Sequence, residues 1–451
     1  MRLFSGLCAL AACGSAASAQ VAAARRSATV ATHITITDRT AAAPPASAPA
    51  QQGDSLRLGR RDAIGEALVH NAQLEVAREQ TAEARARRVT AIAVPDPTLS
   101  AAFDQLNGPL TFGGAPSRPV ALGLTVPFPD KFRLNSRIGW ADIHASESNY
   151  RLQQQTVVLS TSAAYDSLLV ALQHRVNLRE ARDLAADFLK RTQARYDAGT
   201  AAKLDVIQAQ VGVAQAANDL IGNERDILAA QAALNRQLGR VIAAPIAPTD
   251  SLEMPAPLPD STTIEQIALA NRPELAIIAS QQQGAHATTS LTREFWLPDI
   301  DFSVQRDYAA PGSPLFTTGV SLPLPAFYWQ HAKGDIAQSE HFERELAATY
   351  RDTRAQVTQD VRTAYANAST AMKQAAFLHD ELVPAAREAY RVASTSYTLG
   401  GSSALEVLTA RSALLSAETQ YADALAAANT ARADLDRALG AAIPMPGTGA
   451  R

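Results

Sequence analysis

The sequence predicts a mainly helical, internally duplicated chain with a small β part: long antiparallel coiled-coil helices plus four strands. Three observations predict it. Motifs in the two halves recur at one constant offset. Ala supplies much of the 47% hydrophobic content while aromatics reach only 6%, which favours long, closely packed helices over one thick core. Four short segments between the helices alternate apolar with polar or small residues.

The chain opens with Met1-Arg2, a short apolar run to Cys13, and Ala17-Ser18-Ala19, an A-x-A pattern. That is a secretory signal peptide over 1–19, too short for a membrane-spanning helix. A second reading stays open, because Leu10-Ala11-Ala12-Cys13 fits a lipobox that would leave a lipid-modified Cys13 at the mature terminus. Both cysteines, Cys8 and Cys13, lie here, so cleavage after Ala19 leaves no thiol for disulfides, metal ligation or nucleophilic chemistry. The stretch 20–55 is rich in Ala, Pro and Ser and reads as an extended leader.

The duplication organises the rest. Tyr196-Asp197-Ala198-Gly199 with Leu204-Asp205-Val206 recurs as Tyr397-Thr398-Leu399-Gly400 with Leu405-Glu406-Val407, an offset of 201 residues. The same offset relates Leu74 to Leu275, Leu234 to Leu435 and Gly239 to Gly440. One register held over such distances means two copies of one unit, 56–242 and 261–442. Each copy reads as a helix (61–92; 263–294), a hairpin (about 97–127; 299–324), a very long helix (131–196; 328–397), a Gly-bearing turn and a last helix. At 1.5 Å per residue the long helices reach roughly 100 Å, so they lie along a rod or tube. Pro384 is expected to break or kink the second of them. The linker 243–260 carries five prolines, and 443–451 is a tail.

The strands alternate. Leu99, Ala101 and Phe103 alternate with polar neighbours, as do Val120, Leu122, Leu124 and Val126 with small ones. Ile300, Phe302 and Val304, then Phe316, Val320 and Leu322, repeat the pattern in the second copy. No other segment offers a layer for such a sheet to pack on, and lipid outside with water inside needs none. The loops 107–118 and 309–314 would then face the outer surface. Four strands cannot close a membrane barrel, and open edges cannot sit in lipid, where each bare backbone group costs several kcal/mol. Several protomers must therefore share one barrel, with the helices as a tube beneath it.

Taken together, the tip motifs Tyr196-Asp197-Ala198-Gly199-Thr200 and Tyr397-x-x-Gly400 fit a known pattern. So do Leu382-Val383-Pro384-Ala385, Ala268-x-x-Asn271-Arg272-Pro273-Glu274-Leu275, Pro127-Phe128-Pro129 and Pro323-Leu324-Pro325. The chain resembles the TolC-type outer-membrane efflux family over essentially its whole mature length, and 319–336 resembles the heavy-metal and multidrug branch. The resemblance implies a homotrimer with a shared twelve-stranded barrel in outer-membrane lipid and a helical periplasmic tunnel. It also implies two partners, a periplasmic adaptor and an inner-membrane transporter. Carried over to this chain, Gly199, Thr200, Gly400 and Gly401 are adaptor-contacting helix tips, and Asp205, Glu406 and Tyr397 belong to the pore entrance. Threefold repetition would turn each acid into a ring of carboxylates that favours cations. Two positions depart from the family: its basic constriction residue is Ser402 here, and its second acid is Thr409. Plainer readings stand beside these roles, since acids suit a helix's first turn, glycines suit helix caps, and tyrosines anchor packing.

A net charge of −3 shows no basic excess and so speaks against a nucleic-acid partner. The eight histidines show no H-x-x-x-H spacing, and no P-loop, dinucleotide fingerprint or nucleophile elbow is present. The sequence thus predicts no enzyme, cofactor or metal site. A soluble periplasmic coiled-coil scaffold would also explain the helices and the export signal, but it leaves the four strands without a purpose. A type I secretion duct is the alternative within the channel class.

Overall fold

The structure is a computed structural model that describes residues 56–101, 119–258, 260–307, 315–323, 327, 330 and 332–440. The expected signal peptide with Cys13, the leader 20–55, both outer loops and the tail 443–451 lie outside the described residues. The chain runs β1 (Leu56–Leu58), α1 (Arg60–His70), α2 (Ala72–Ala91), β2 (Thr98–Ala101), β3 (Pro119–Val126), α3 (Pro129–Asp197), α4 (Lys203–Gln237) and β4 (Ile246–Pro248). It continues as α5 (Ser261–Asn271), α6 (Pro273–Arg293), β5 (Ile300–Asp307), β6 (Leu315–Ser321), α7 (Ala332–Phe377), α8 (Val383–Leu399) and α9 (Ala404–Ala438). The 69 residues of α3 span roughly 100 Å, the expected length.

Each copy has its own core, built from repeat-related positions. Ala63, Ala67, Leu74, Leu234 and Leu238 pack together in the first, and Ile264, Ala268, Leu275, Leu435 and Leu439 do so in the second. The constant offset in sequence is therefore an offset between two equivalent sets of packing contacts.

Two expected helices are corrected by the structure. Each helix that opens a copy is broken in two, at Asn71 (φ −71°, ψ 123°) and at Arg272 (φ −65°, ψ 120°). At Asn71 the side chain competes with the helix: its Oδ1 accepts the Gln73 N–H (2.9 Å) and its Nδ2 donates to the Gln237 carbonyl (2.9 Å). At Arg272 the following Pro273 disfavours helical backbone. The buried guanidinium there holds Glu274 (2.9 Å) and Asp360 (3.0 Å). The glycine that ends each copy docks on this break. Gly239 (φ +67°) and Gly440 (φ +69°) lie so close that an added Cβ would stand 2.4 Å from the His70 carbonyl oxygen and 2.7 Å from that of Asn271.

Pro384 also acts differently from expectation. The second long helix is not broken there but widened, through a π turn at Leu378–Leu382 between α7 and α8. The Val383 N–H donates to the Leu378 carbonyl five residues back. That wider turn makes room for the proline ring and its missing donor.

The four strands form one antiparallel sheet in the order β2-β3-β5-β6. Its central pair, β3 with β5, joins the two copies (Leu122 opposite Val304, Leu124 opposite Phe302). One face carries Leu99, Leu122, Leu124, Phe302, Val304 and Val320; the other carries Ser100, Gly123, Thr125, Ser303 and Gly319. The apolar face is bare, with Leu99 75% and Val320 63% exposed. Among the described residues no helix is long and apolar enough to cross a membrane. The strands are the membrane-compatible part.

Two short strands escaped sequence reasoning. β1 pairs in parallel with β4 in the linker (Leu56 opposite Ile246). A single turn of α3 clamps them: the Tyr165 hydroxyl donates to the Leu58 carbonyl (3.0 Å), and Asp166 is ion-paired with Arg60. Burial raises the Asp166 carboxyl from 3.8 to about 6, against the opposing pull of Arg60. A raised folded-state value favours the protonated folded form. This contribution is complete below about pH 4 and is lost as pH rises through 6. Asn367 stands at the equivalent position of the second copy. Asp166→Asn is therefore expected to stabilise the protein above pH 6 by on the order of 2 kcal/mol, with the gain vanishing toward pH 4. Unfolding midpoints of both proteins across that range check it, and a pH-independent difference contradicts it.

Candidate functional site

The site lies where the long helices reverse. At the first tip α3 ends in a Schellman turn: the Thr200 N–H donates to the Arg195 carbonyl (2.8 Å), with Gly199 at φ +75°. At the second, the Gly401 N–H donates to the Ser396 carbonyl (2.9 Å), with Gly400 at φ +83°. Both glycines supply the left-handed conformation such a turn needs. A Cβ on Gly199 would meet nothing, whereas one on Gly401 would come within 2.9 Å of Ser396 Oγ. Thr200 Oγ1 donates back to the Arg195 carbonyl (3.0 Å), and all four tip residues are exposed.

The acids open the following helices. Asp205 stands in the first turn of α4, where its Oδ2 accepts the Ala202 N–H (3.3 Å). Glu406 stands in the first turn of α9 and is exposed, while its backbone N–H donates to the N-cap hydroxyl of Ser403 (3.3 Å). Copy two has a capping serine where copy one has Ala202, so Asp205 takes over part of the capping. Of the two departures from the family, Ser402 donates to the Ala393 carbonyl (3.0 Å) and Thr409 to that of Leu405 (2.9 Å). Neither hydroxyl reaches across to the other tip.

Tyr397 is only 3% exposed. Its ring lies 5.1 Å from that of Phe188, and its hydroxyl donates to Thr192 Oγ1 (3.4 Å). These contacts tie α8 to α3. Phe188, Ala209, Tyr397, Ala404 and Val407 form a small apolar cluster in which α3, α4, α8 and α9 meet. Sequence reasoning missed one residue. The Arg195 guanidinium lies 4.5 Å from the Tyr397 ring centroid, and its Nη1 donates to the Tyr397 carbonyl. Its Nη2 donates to the Thr200 carbonyl (3.2 Å). The only signal was its place just before a repeated motif, with Ser396 as its counterpart. Among the described residues no three His, Cys, Asp or Glu side chains converge as metal ligands would.

A sheet that among the described residues is open at both edges and apolar on one face, joined to two glycine-tipped helical hairpins, defines a protomer of an outer-membrane duct. The chain belongs to the outer membrane efflux protein family, whose profile matches residues 63–240 and 264–441, one match per copy. It is 26% identical over 314 residues to the cobalt-zinc-cadmium resistance protein CzcC of Cupriavidus metallidurans, covering 66% of this chain and 73% of that protein. A membrane protein from Pseudomonas aeruginosa has the same fold, with TM-score 0.73 and 23% identity over 88% of this chain and 99% of that one. So does the outer membrane channel CmeC of Campylobacter jejuni, with TM-score 0.71 and 18% identity over 84% and 85%. The protein is an outer-membrane efflux channel with a large periplasmic helical part. Family membership removes the soluble-scaffold alternative.

Proposed function

We propose that three copies of this chain form one passive exit duct, which takes substrate from an inner-membrane transporter through a periplasmic adaptor. The observation that carries this reading is the open sheet: among the described residues, β2 and β6 each leave one edge unpaired. Neighbouring copies supply the missing pairs, three sheets of four make a barrel of twelve strands, and no backbone group faces lipid bare. The helical hairpins line up below as the tunnel. Gly199, Thr200, Gly400 and Gly401 meet the adaptor, because their exposed turns close the ends of α3 and α8 that lie away from the strands in sequence. The duct performs no chemistry, and the transporter supplies the energy.

At the entrance, Asp205 and Glu406 form two carboxylate rings that favour cations, while Tyr397 acts from within by holding α8 on α3. One carboxylate at 4 Å in water-like surroundings contributes about 1 kcal/mol to a cation, or about fivefold in occupancy. Asp205→Ala with Glu406→Ala should lower cation-over-anion permeability in planar bilayers by about that factor. Unchanged selectivity removes the rings from the mechanism. The trimer itself is checked by the mass of the detergent-purified protein, and a monomer there contradicts the shared barrel.

A further inference from the structure

We propose that Arg306 binds the phosphate of an outer-leaflet glycolipid, so that the barrel carries a ring of anionic-lipid sites at its outer rim. The inference rests on the shared-barrel reading and names the lipid that this face meets.

Successive residues of a strand point to opposite faces, so the register sorts the charges of the sheet. Arg306 stands opposite Val120 on one side and Phe316 on the other, which puts it on the face of Leu122, Leu124, Phe302 and Val304. The strand acids Asp301 and Asp307 belong to the opposite face. Among the described strand residues, Arg306 is thus the one ionisable side chain on the apolar face.

A guanidinium is costly at mid-depth in hydrocarbon and nearly free of cost at the interface. The strand carries Arg306 to an interface. β5 leaves the helical part at Ile300, and Arg306 lies about 20 Å further along it. At the near end Trp296 is 60% exposed, in the short helical turn Glu294–Trp296 that precedes β5, where an interfacial ring belongs. Trp296 and Arg306 bracket the apolar band. With the helices on the periplasmic side, Arg306 marks the outer rim.

The local geometry suits a lipid headgroup. The Arg306 guanidinium carbon lies 5.2 Å from the Phe316 ring centroid, and that ring is 65% exposed. The ring steadies the cation and offers its open surface to an acyl chain, while the apolar stem of the arginine stays on the sheet. A planar fork of N–H donors matches the oxygens of a phosphate. A phosphate monoester on a sugar carries close to two negative charges, a phosphodiester headgroup one, so the monoester is the stronger partner.

Native mass spectrometry of the full-length protein, purified in detergent, stripped of lipid and offered each lipid in turn, tests the site. Bisphosphorylated lipid A should be retained about fivefold better than its dephosphorylated form, the effect of one cation at a charged lipid surface. Arg306→Gln should abolish that preference, and Arg306→Lys should keep part of it. Phosphatidylglycerol, a singly charged diester, should bind less well than lipid A; equal or tighter binding overturns the glycolipid assignment. A trimer without phosphate preference, or with one that survives Arg306→Gln, overturns the site while the duct stands, the guanidinium then reaching only water. A monomer removes the shared barrel and the site with it. The wild-type preference is read without any variant, so an Arg306→Gln protein that fails to assemble leaves the test in force.

Discussion

Gly440→Ala and Gly239→Ala should each destabilise the protein by about 2–5 kcal/mol. Two costs add. Both residues sit in the left-handed region, at φ +69° and +67°, where a Cβ costs about 1–2 kcal/mol. The new methyl would also press on backbone rather than on a movable side chain. At Gly440 the neighbours are the Asn271 carbonyl at 2.7–2.8 Å and the Arg272 nitrogen at 3.0 Å; at Gly239 the nearest is the His70 carbonyl oxygen at 2.4 Å. These contacts dock the end of each copy on its broken first helix, so relief requires the helices to move apart. Gly199→Ala is the control, since it has the same kind of dihedral (φ +75°) with no atom within 4 Å of the added methyl. It should cost only the dihedral term. Denaturant unfolding followed by circular dichroism compares the three, and equal losses would remove the docking contact from the explanation.

Val304→Arg should destabilise the assembled barrel by about 2–4 kcal/mol, while Gln305→Arg, one residue along, should leave it nearly unchanged. Val304 lies mid-strand on the apolar face, opposite Leu122 on one side and Thr318 on the other. Gln305 faces the other way, between Ala121 and Thr317. If the apolar face meets lipid, a guanidinium there must be drawn from water into hydrocarbon. On the opposite face it meets the aqueous lumen and alters conductance instead. Heating the purified oligomer before semi-native electrophoresis reads the difference as a lower dissociation temperature for Val304→Arg alone. Equal tolerance of both substitutions would mean that the apolar face is covered by protein.

The sequence by itself determined the duplication, the order of the long helices and the four hairpin strands, the two glycine tips and the lipid-compatible strand face. Each is a local property. Alternation along Leu122 to Val126 or Phe302 to Val304 is set by the pleat, and a helix end marked by Gly199 or Gly400 is set by the dihedrals its own turn requires. Tertiary structure decided the rest. Asn71 can cap a helix by its own local bond to the Gln73 N–H, but nothing in the sequence says that it does so here. The tertiary structure adds the second bond that fixes the break, from its amide to the Gln237 carbonyl at the far end of the copy (2.9 Å). Pro384 is legible as a disturbance, but whether the chain kinks or widens into a π turn depends on what packs around it. The β3–β5 pairing joins strands some 180 residues apart, as Leu122 with Val304 shows, and alternation says nothing about which edges meet. Tyr397 is a repeated motif residue with two readings in sequence, and only its contacts with Phe188 and Thr192 bury it. Arg195 was invisible because its partners are backbone carbonyls, and every residue carries one. Its meaning comes from where two helix ends are brought in space.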